Sequence, residues 1–394
     1  MSGYKRSEMG MIPVDWKVEA VEDAFHICNE LRLPLSQKIR ERIEGPYPYY
    51  GPTNIQGWIN HYRIEGEYAL IGEDGDHFLK WQSQPMTLLV RGKFNVNNHA
   101  HLVRGSKNLT QWFYWYFANR DLTPYLTRQG AGRYKLTKAS LSKIPCALPF
   151  PDEQGAIAKA LNDVDALLGG LDRLIAKKHD LKQAAMQQLL TGRTRLPGFQ
   201  GEWERKRVGE LAAMRSGGTP VSSVAAYYDG DIPWVSISDM TKGGKIISAT
   251  DRNLTRAGFA SCAAQMFPAG TVLYAMYASL GECSIAGVSV CSSQAILGIR
   301  PGRSLSNEFL YYYFTSLKSI VKSMGQHGTQ ANLNKGMVQD LRLYLPPPPE
   351  QNAIVEVLTD MDAEISALVQ RREKTRALKQ AMMQELLTGK TRLI

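Results

Sequence analysis

"LKQAAMQQLLTGRTRL" occupies residues 181–196, and "LKQAMMQELLTGKTRL" occupies residues 378–393. They lie 197 residues apart and match at 13 of 16 positions. Leu, Met, Gln, Lys and Ala favour a helix interior. Thr191-Gly192 and Thr388-Gly389 supply a stop, because glycine readily takes the left-handed conformation that ends a helix. The same helix end is therefore written twice, once in the middle of the chain and once near its last residue.

Working outward, the repeat grows. "NLTQWFYWYFAN" (108–119) aligns with "LSNEFLYYYFTS" (305–316), again at an offset of 197. Gln129 falls on Gln326, Leu136 on Leu333, Lys138 on Lys335, and Glu153-Gln154 on Glu350-Gln351. Upstream, Trp16 matches Trp203 at an offset of 187, so the fronts of the two halves differ in length while their backs keep register. A period near 200 means two copies of a domain-plus-helix unit, not a solenoid of short repeats.

The helical part of each copy carries a narrow apolar seam. Ile157, Leu161, Val164, Leu168, Leu171 and Ile175 follow 4,3,4,3,4 spacing, and Ile354, Leu358, Met361, Ile365 and Leu368 repeat it. That spacing lines one helix face and calls for a partner helix. The simplest partner is the other copy, running antiparallel. Pro149 and Pro151 precede the first helix, and Pro346 to Pro349 the second, where a missing N–H costs nothing. Each helix of roughly 39 residues gives a rod of about 58 Å.

The chain of 394 residues is too long for one ordinary core. Its formal net charge of +10 divides into +5 over 1–150, +1 over 151–196, +4 over 197–345 and 0 over 346–394. The excess sits in the two blocks outside the helices, and such a field suits a polyanion. The start, "MSGYKRSEMGMIPVDW", lacks a signal-peptide pattern, and no apolar run reaches membrane-spanning length. A cytoplasmic protein with no membrane partner is expected. Cys28, Cys146, Cys262, Cys283 and Cys291 are scattered without C-x-x-C or His spacing, which argues against zinc and against a disulfide framework.

Residues 12–107 and 208–304 carry short β-branched and aromatic runs, such as "TLLVRG", "IPWVSI", "GTVLYAMY" and "AILGIRP". "WFYWYF" and "FLYYYF" read as a short helix closing each block. The expectation is an α+β protein with a pseudo-two-fold internal repeat. Its parts are a first domain over 1–150, a central helix over 151–196, a second domain over 197–345 and a C-terminal helix over 346–394.

Motifs for catalysis are missing. "LPPPPEQ" lacks the leading Asn or Asp and the trailing aromatic of an amino-methyltransferase. No G-x-G-x-x-G follows a strand, and no phosphate-cradling G-x-x-x-x-G-K-[ST] occurs. The acids of "PDEQGAIAK" open a helix, where they complement its dipole. No catalytic residue is assigned.

"LLTGRTRLPGF", "LLTGKTRL", "GDIPWVSISDM" and "YYGPTNIQG … YALIGEDG … NVNNHAHLV" together resemble the specificity subunit of a type I restriction-modification enzyme, over essentially the full chain. The resemblance implies two target-recognition domains, each reading one half of a bipartite double-stranded DNA site. It implies paired helices that space the domains and bind methyltransferase subunits. Those partners would carry S-adenosylmethionine and methylate adenine N6, with no cofactor in this chain, and restriction subunits would join them. Because the two domains differ in sequence, the site is expected to be asymmetric. A non-catalytic adaptor with sequence-indifferent DNA binding is the competing reading.

Base reading needs Arg, Lys, Asn, Gln, Ser or Thr on projecting loops. In the first domain the candidates are Tyr50, Thr53, Asn54 and Gln56 in "YYGPTNIQG". Glu73 or Asp74 in "GEDGD" could accept from a cytosine amine, or form a solvated acidic turn. Asn97, Asn98 and His99 could reach DNA or finish a strand. Arg128, Gln129, Arg133 and Lys135 in "RQGAGRYK" suit a phosphate-gripping loop, and Gln326, Thr329, Gln330 and Lys335 occupy its counterpart. In the second domain, Ser216 and Thr219 lie in "RSGGTP", read as a flexible loop, and Ser236, Ser238 and Asp239 in "WVSISDM". Tyr277, Ser279 and Gln294 complete the set. Trp234 and the aromatic clusters read as core rather than stacking platforms.

Overall fold

A computed structural model describes residues 3–129, 133–326 and 332–393. The two long helices span Pro151–Leu189 and Pro348–Leu386, each 39 residues. The chain divides into two compact units, Met1–Asp172 with Arg371–Ile394, and Arg173–Gln370. Each unit therefore takes the first half of one long helix and the second half of the other.

The first unit is built on a six-stranded sheet. Its order is Phe25–Ile27, Ala100–Gly105, Ile64–Gly72, Thr87–Val96, Tyr47–Tyr50 and Ile55–Ile59. All neighbours are antiparallel except Tyr47–Tyr50 against Thr87–Val96, where Tyr49 faces Asn95. Both faces are covered, so alternate residues enter different cores. Ala69 and Ile71 join Trp16, Phe25, Trp112 and Phe113 on one side, whereas Tyr68 and Leu70 join Phe94 and Leu102 on the other. Helix Thr110–Ala118 supplies the aromatic wall, with Trp112, Phe113, Trp115, Tyr116 and Phe117 all buried. These side chains are core, as their sequence pattern suggests.

The second unit repeats the plan with a five-stranded sheet, order Ala212–Ser216, Ile296–Pro301, Val272–Ala275, Cys283–Ala286 and Ile246–Ile247. A three-stranded sheet of Arg252–Leu254, Tyr228–Val235 and Cys291–Ser292 adjoins it in sequence. Two pairs are parallel here, Tyr228–Val235 with Cys291–Ser292, where Trp234 faces Cys291, and Ile246–Ile247 with Cys283–Ala286. Its closing helix, Asn307–Gln326, has 20 residues where the first unit's has nine, longer than the short helix that "FLYYYF" suggested.

Within each unit the two helix halves run antiparallel and are stitched by ions. Asp165 pairs with Lys379 and Asp172 with Arg372 in the first unit. Asp362 pairs with Lys182 and Glu364 with Lys178 in the second. Ile157 and Leu161 are buried with Met383, Leu386 and Leu387 in the first core. Ile354 and Leu358, with Met361 at the margin, pack with Met186, Leu189 and Leu190 in the second. Leu171 and Ile365 are buried, while Val164, Leu168 and Leu368 are half-buried.

The helix stops are confirmed by geometry. Gly192 and Gly389 both have φ near +70°. A Cβ on Gly389 would stand 2.5 Å from Pro13 Cγ, and one on Gly192 would stand 3.1 Å from Trp203 Cε3. The left-handed backbone calls for glycine at both, and at Gly389 its size is needed as well. No helix among the described residues is long and apolar enough to cross a membrane.

Candidate nucleic-acid interface

In the first unit, four separate sequence segments meet where the central strand Ile64–Gly72 ends. The Glu73 amide donates to His99 O at 2.8 Å, and the Leu136 amide donates to Glu73 O at 2.7 Å. The Asn97 amide donates to Tyr50 O at 3.0 Å. These backbone links collect Gln56, Glu73, Asp74, Asn97, Asn98, His99 and Lys135 at one end of the sheet.

Their side chains are interlocked. Asn97 Nδ2 donates to Gln56 Oε1 at 2.9 Å, and Asn97 Oδ1 accepts from the His99 amide at 2.8 Å. His99 Nδ1 lies 2.8 Å from Asp74 Oδ2. Glu73, with only 15% of its side chain exposed, accepts from Arg32 Nη1 at 2.5 Å and faces Lys135 Nζ at 3.3 Å. Glu73 is thus the floor of a charged cluster, not a free acceptor. Burial pushes its carboxyl pKa up, but Arg32, His101 and Lys135 outweigh that and hold it below the ordinary value. His101 is fully buried beside it. Leu136 O can only accept, so the proton sits on Nε2, 2.7 Å away, and Nδ1 accepts from Asn29 Nδ2 at 2.9 Å.

Thr53 and Asn54 stand exposed at the hairpin tip, and Asn54 O closes the turn on the Gly51 amide at 2.8 Å. The Tyr50 ring packs edge-on against Phe94 at 5.9 Å, and it is half-buried. Asn98 is exposed, with its carbonyl taking Arg32 Nη1 at 3.1 Å. Arg128 lies over the Tyr134 ring and donates to its hydroxyl at 2.8 Å, on a hairpin pairing Thr127 with Lys135. The side chains of Gln129, Arg133 and Gln326 lie outside the described residues, as do Thr329 and Gln330 altogether.

The second unit gathers its candidates in the same way. The Ser293 amide donates to Val235 O at 2.9 Å, Gly218 to Ser292 O at 2.9 Å, and Met276 to Ala295 O at 2.9 Å. The Gln294 amide donates to Thr219 Oγ1 at 3.2 Å. The Leu333 amide donates to Met276 O at 3.0 Å, which brings exposed Lys335 close in sequence to the same strand end. Ser216, Thr219, Tyr277 and Gln294 are exposed, Ser279 half-buried, and Ala278 between them takes φ of 59°.

Two readings change here. Gly217 and Gly218 are not a flexible loop, since a Cβ on Gly217 would meet Ser292 O at 2.2 Å and one on Gly218 would meet Ala264 N at 2.3 Å. Ser236 and Asp239 cap helix Ile237–Gly243: Asp239 Oδ2 accepts from the Ser236 amide at 2.8 Å, and its Oδ1 accepts from the Asp251 amide at 2.7 Å. Their polar atoms serve the cap, leaving Ser238 exposed on the first turn. Trp234 is core, with Nε1 donating to Gly218 O at 3.0 Å.

The backbone links put the two sites in correspondence. The parallel pairs align Tyr50 with Val235 and Val96 with Ser292. Strand registers align Ile71 with Tyr274 and His101 with Leu297. Glu73 then falls on Met276, His99 on Ala295 and, through the Leu33 and Gly218 amides, Arg32 on Gly217. One scaffold thus carries an ionic cluster in the first unit and buried or half-buried, uncharged residues at the same positions in the second. Arg32, Asn29 and His101 escaped the sequence reading, because nothing local marks residues whose partners lie 28 to 72 positions away.

Two copies of one sheet fold, each gathering polar loops at the same strand ends in a basic domain, define a paired nucleic-acid-reading class. The family model of the type I restriction modification DNA specificity domain matches residues 13–176 and again 200–376. The chain belongs to this family and is a DNA-recognition subunit of a type I restriction-modification system. The putative MjaX specificity subunit of Methanocaldococcus jannaschii is 23% identical, covering 99% of this chain and 97% of its own. A putative type I specificity subunit of Haemophilus influenzae is 39% identical over 155 residues, spanning 39% of this chain and 38% of that protein. The type I S subunit crystal structure from M. genitalium shares the fold, with a TM-score of 0.60 over 94% of this chain and 96% of that one, at 14% identity.

Proposed function

We propose that this chain is the non-catalytic reader of its complex, with residues 1–150 and 197–345 each reading one half of an asymmetric, bipartite double-stranded DNA site. The helices at 151–196 and 346–394 set the spacing and hold methyltransferase subunits. Those partners bring S-adenosylmethionine and methylate adenine N6, and restriction subunits join them in the cytoplasm.

One observation carries the reading. Equivalent backbone positions hold Arg32, Glu73 and His101 in the first unit but Gly217, Met276 and Leu297 in the second. A shared scaffold with different chemistry at the same strand ends is what two different base readers need. A sequence-indifferent grip would keep phosphate-binding cations at both.

The test is an adenine-methylation map of cells carrying the chain and its neighbouring methyltransferase, with this gene present and deleted. A split, non-palindromic motif that disappears on deletion is the expected result. Exchanging residues 197–345 for another member's second domain should change one half of the motif only. An unchanged map, with both proteins expressed, overturns the reading.

A further inference from the structure

The first unit's charged cluster has a geometry that its acidic residues alone do not suggest. Arg32 donates Nε to Asn29 O at 3.2 Å and Nη1 to Glu73 Oε2, Asn98 O and Ala100 O. Among the described residues its Nη2 donates to nothing. Its side chain is 22% exposed, and Lys135, on the other oxygen of Glu73, is 28% exposed. Two cationic donors are thus held side by side on one nearly buried carboxylate, beside the exposed Asn98–His99 turn.

We propose that Arg32 is a specificity-determining residue of the first domain, presenting Nη2, with Lys135 Nζ beside it, to the O6 and N7 acceptors of a guanine in the first half-site. Glu73 is its positioning residue. The inference rests on the bipartite reading above.

Guanine is the base whose major-groove edge shows two adjacent acceptors, and Arg or Lys reads it most often. A phosphate would also accept from these donors, but the local charge opposes it. Glu73 and Asp74 offset Arg32 and Lys135, so the cluster attracts an anion weakly, and a phosphate oxygen beside Glu73 meets a like charge. A neutral base edge meets no such repulsion. Rigid anchoring of both donors suits a fixed acceptor pair, whereas backbone contacts tolerate mobile side chains. At the corresponding position of the second unit Gly217 offers no donor side chain, so the arrangement belongs to one half-site alone.

The test uses the full chain with its methyltransferase partner. Methylation maps of wild type, Arg32→Lys, Arg32→Gln and Glu73→Gln are compared. Lys keeps the charge but loses the planar fork. Arg32→Lys and Arg32→Gln should relax one guanine position of the first half-site, with discrimination there falling by about ten-fold or more, and leave the other half unchanged. Glu73→Gln should relax the same position to a smaller degree. In parallel, the wild-type complex is titrated with motif duplexes carrying 7-deazaguanine at each guanine in turn. Loss of N7 at one guanine should weaken binding by about ten-fold, and that sensitivity should vanish in Arg32→Lys. The wild-type titration alone can overturn the proposal even if the variants fail to fold.

A first half-site without guanine on either strand overturns the proposal, as does a wild-type complex indifferent to every 7-deaza substitution. So does uniform weakening across all sequences with a salt slope reduced by about one, the mark of a phosphate contact. Absence of any bipartite motif sinks the functional reading itself, a distinguishable result.

Discussion

Arg392 Nε donates to Glu153 Oε1 at 2.5 Å, and Arg195 Nε donates to Glu350 Oε1 at the same distance, both residues of the pair shifted by 197. Each arginine closes a second bond through Nη2, at 2.8 Å and 2.7 Å. Trp16 and Trp203 complete the two locks by donating Nε1 to Glu153 Oε2 at 3.2 Å and to Glu350 Oε2 at 2.9 Å. The repeated "TGxTRL" ending thereby fastens the end of one helix to the start of the other within each unit.

Glu153 and Glu350 are 2% and 1% exposed at the side chain, so losing the arginine strands a buried carboxylate. Arg392→Ala should cost about 3 kcal/mol and lower the Tm by about 6–12 °C, measured by calorimetry. Removing residues 391–394 should do the same. A fall of under about 2 °C would show that the lock is not a stabilising element.

Gly217→Ala places a methyl where 2.2 Å separates Cβ from Ser292 O. Overpacking of this kind costs about 1–3 kcal/mol. The expected functional effect is local: methylation should lose fidelity at the second half-site while the first half keeps its bases. Sequencing of methylated sites reads this directly, and equal loss at both halves would contradict separate reading domains.

His101 makes the stability of the fold depend on pH. Burial pushes its pKa below the ordinary value near 6.5, against the opposing pull of Leu136 O and Glu73. Below pH 6.5 the unfolded imidazole takes up a proton and the folded one resists. Stability is therefore full above that pH and declines as the pH falls toward the folded pKa. Thermal melts of wild type at pH 7.5 and 5.5 should differ more than melts of His101→Asn. The same difference in both proteins would remove His101 from the account.

Helix substitutions should track burial. Ile157 and Leu358 are fully buried, so Asp at either forces an unpaired charge into a core and should abolish cooperative melting. Leu171→Asp, at a side chain 4% exposed, should cost clearly more than Leu368→Asp, which is half-buried. Denaturant titration with circular dichroism ranks them. A larger effect at Leu368 would show that burial within the chain does not set the cost.

By itself the sequence determined the duplication, both 39-residue helices, the strands at Thr87–Val96, Tyr228–Val235, Val272–Ala275 and Ile296–Pro301, and the buried aromatic helix faces. These follow from local periodicity: 3.6 for helices, 2 for strands, with proline and glycine as punctuation. The polar candidates were legible as residue types, and the strand ends do collect many of them. Only the tertiary structure decided which are spent. Ser236 and Asp239 turned out to cap a helix, and Gly217 to be wedged against Ser292. Glu73 turned out to be bound by Arg32, 41 residues earlier, beside a buried His101. Any acid can pair with any base, so an ion pair between distant positions leaves no period in the chain. It exists once the sheet has brought its strand ends together.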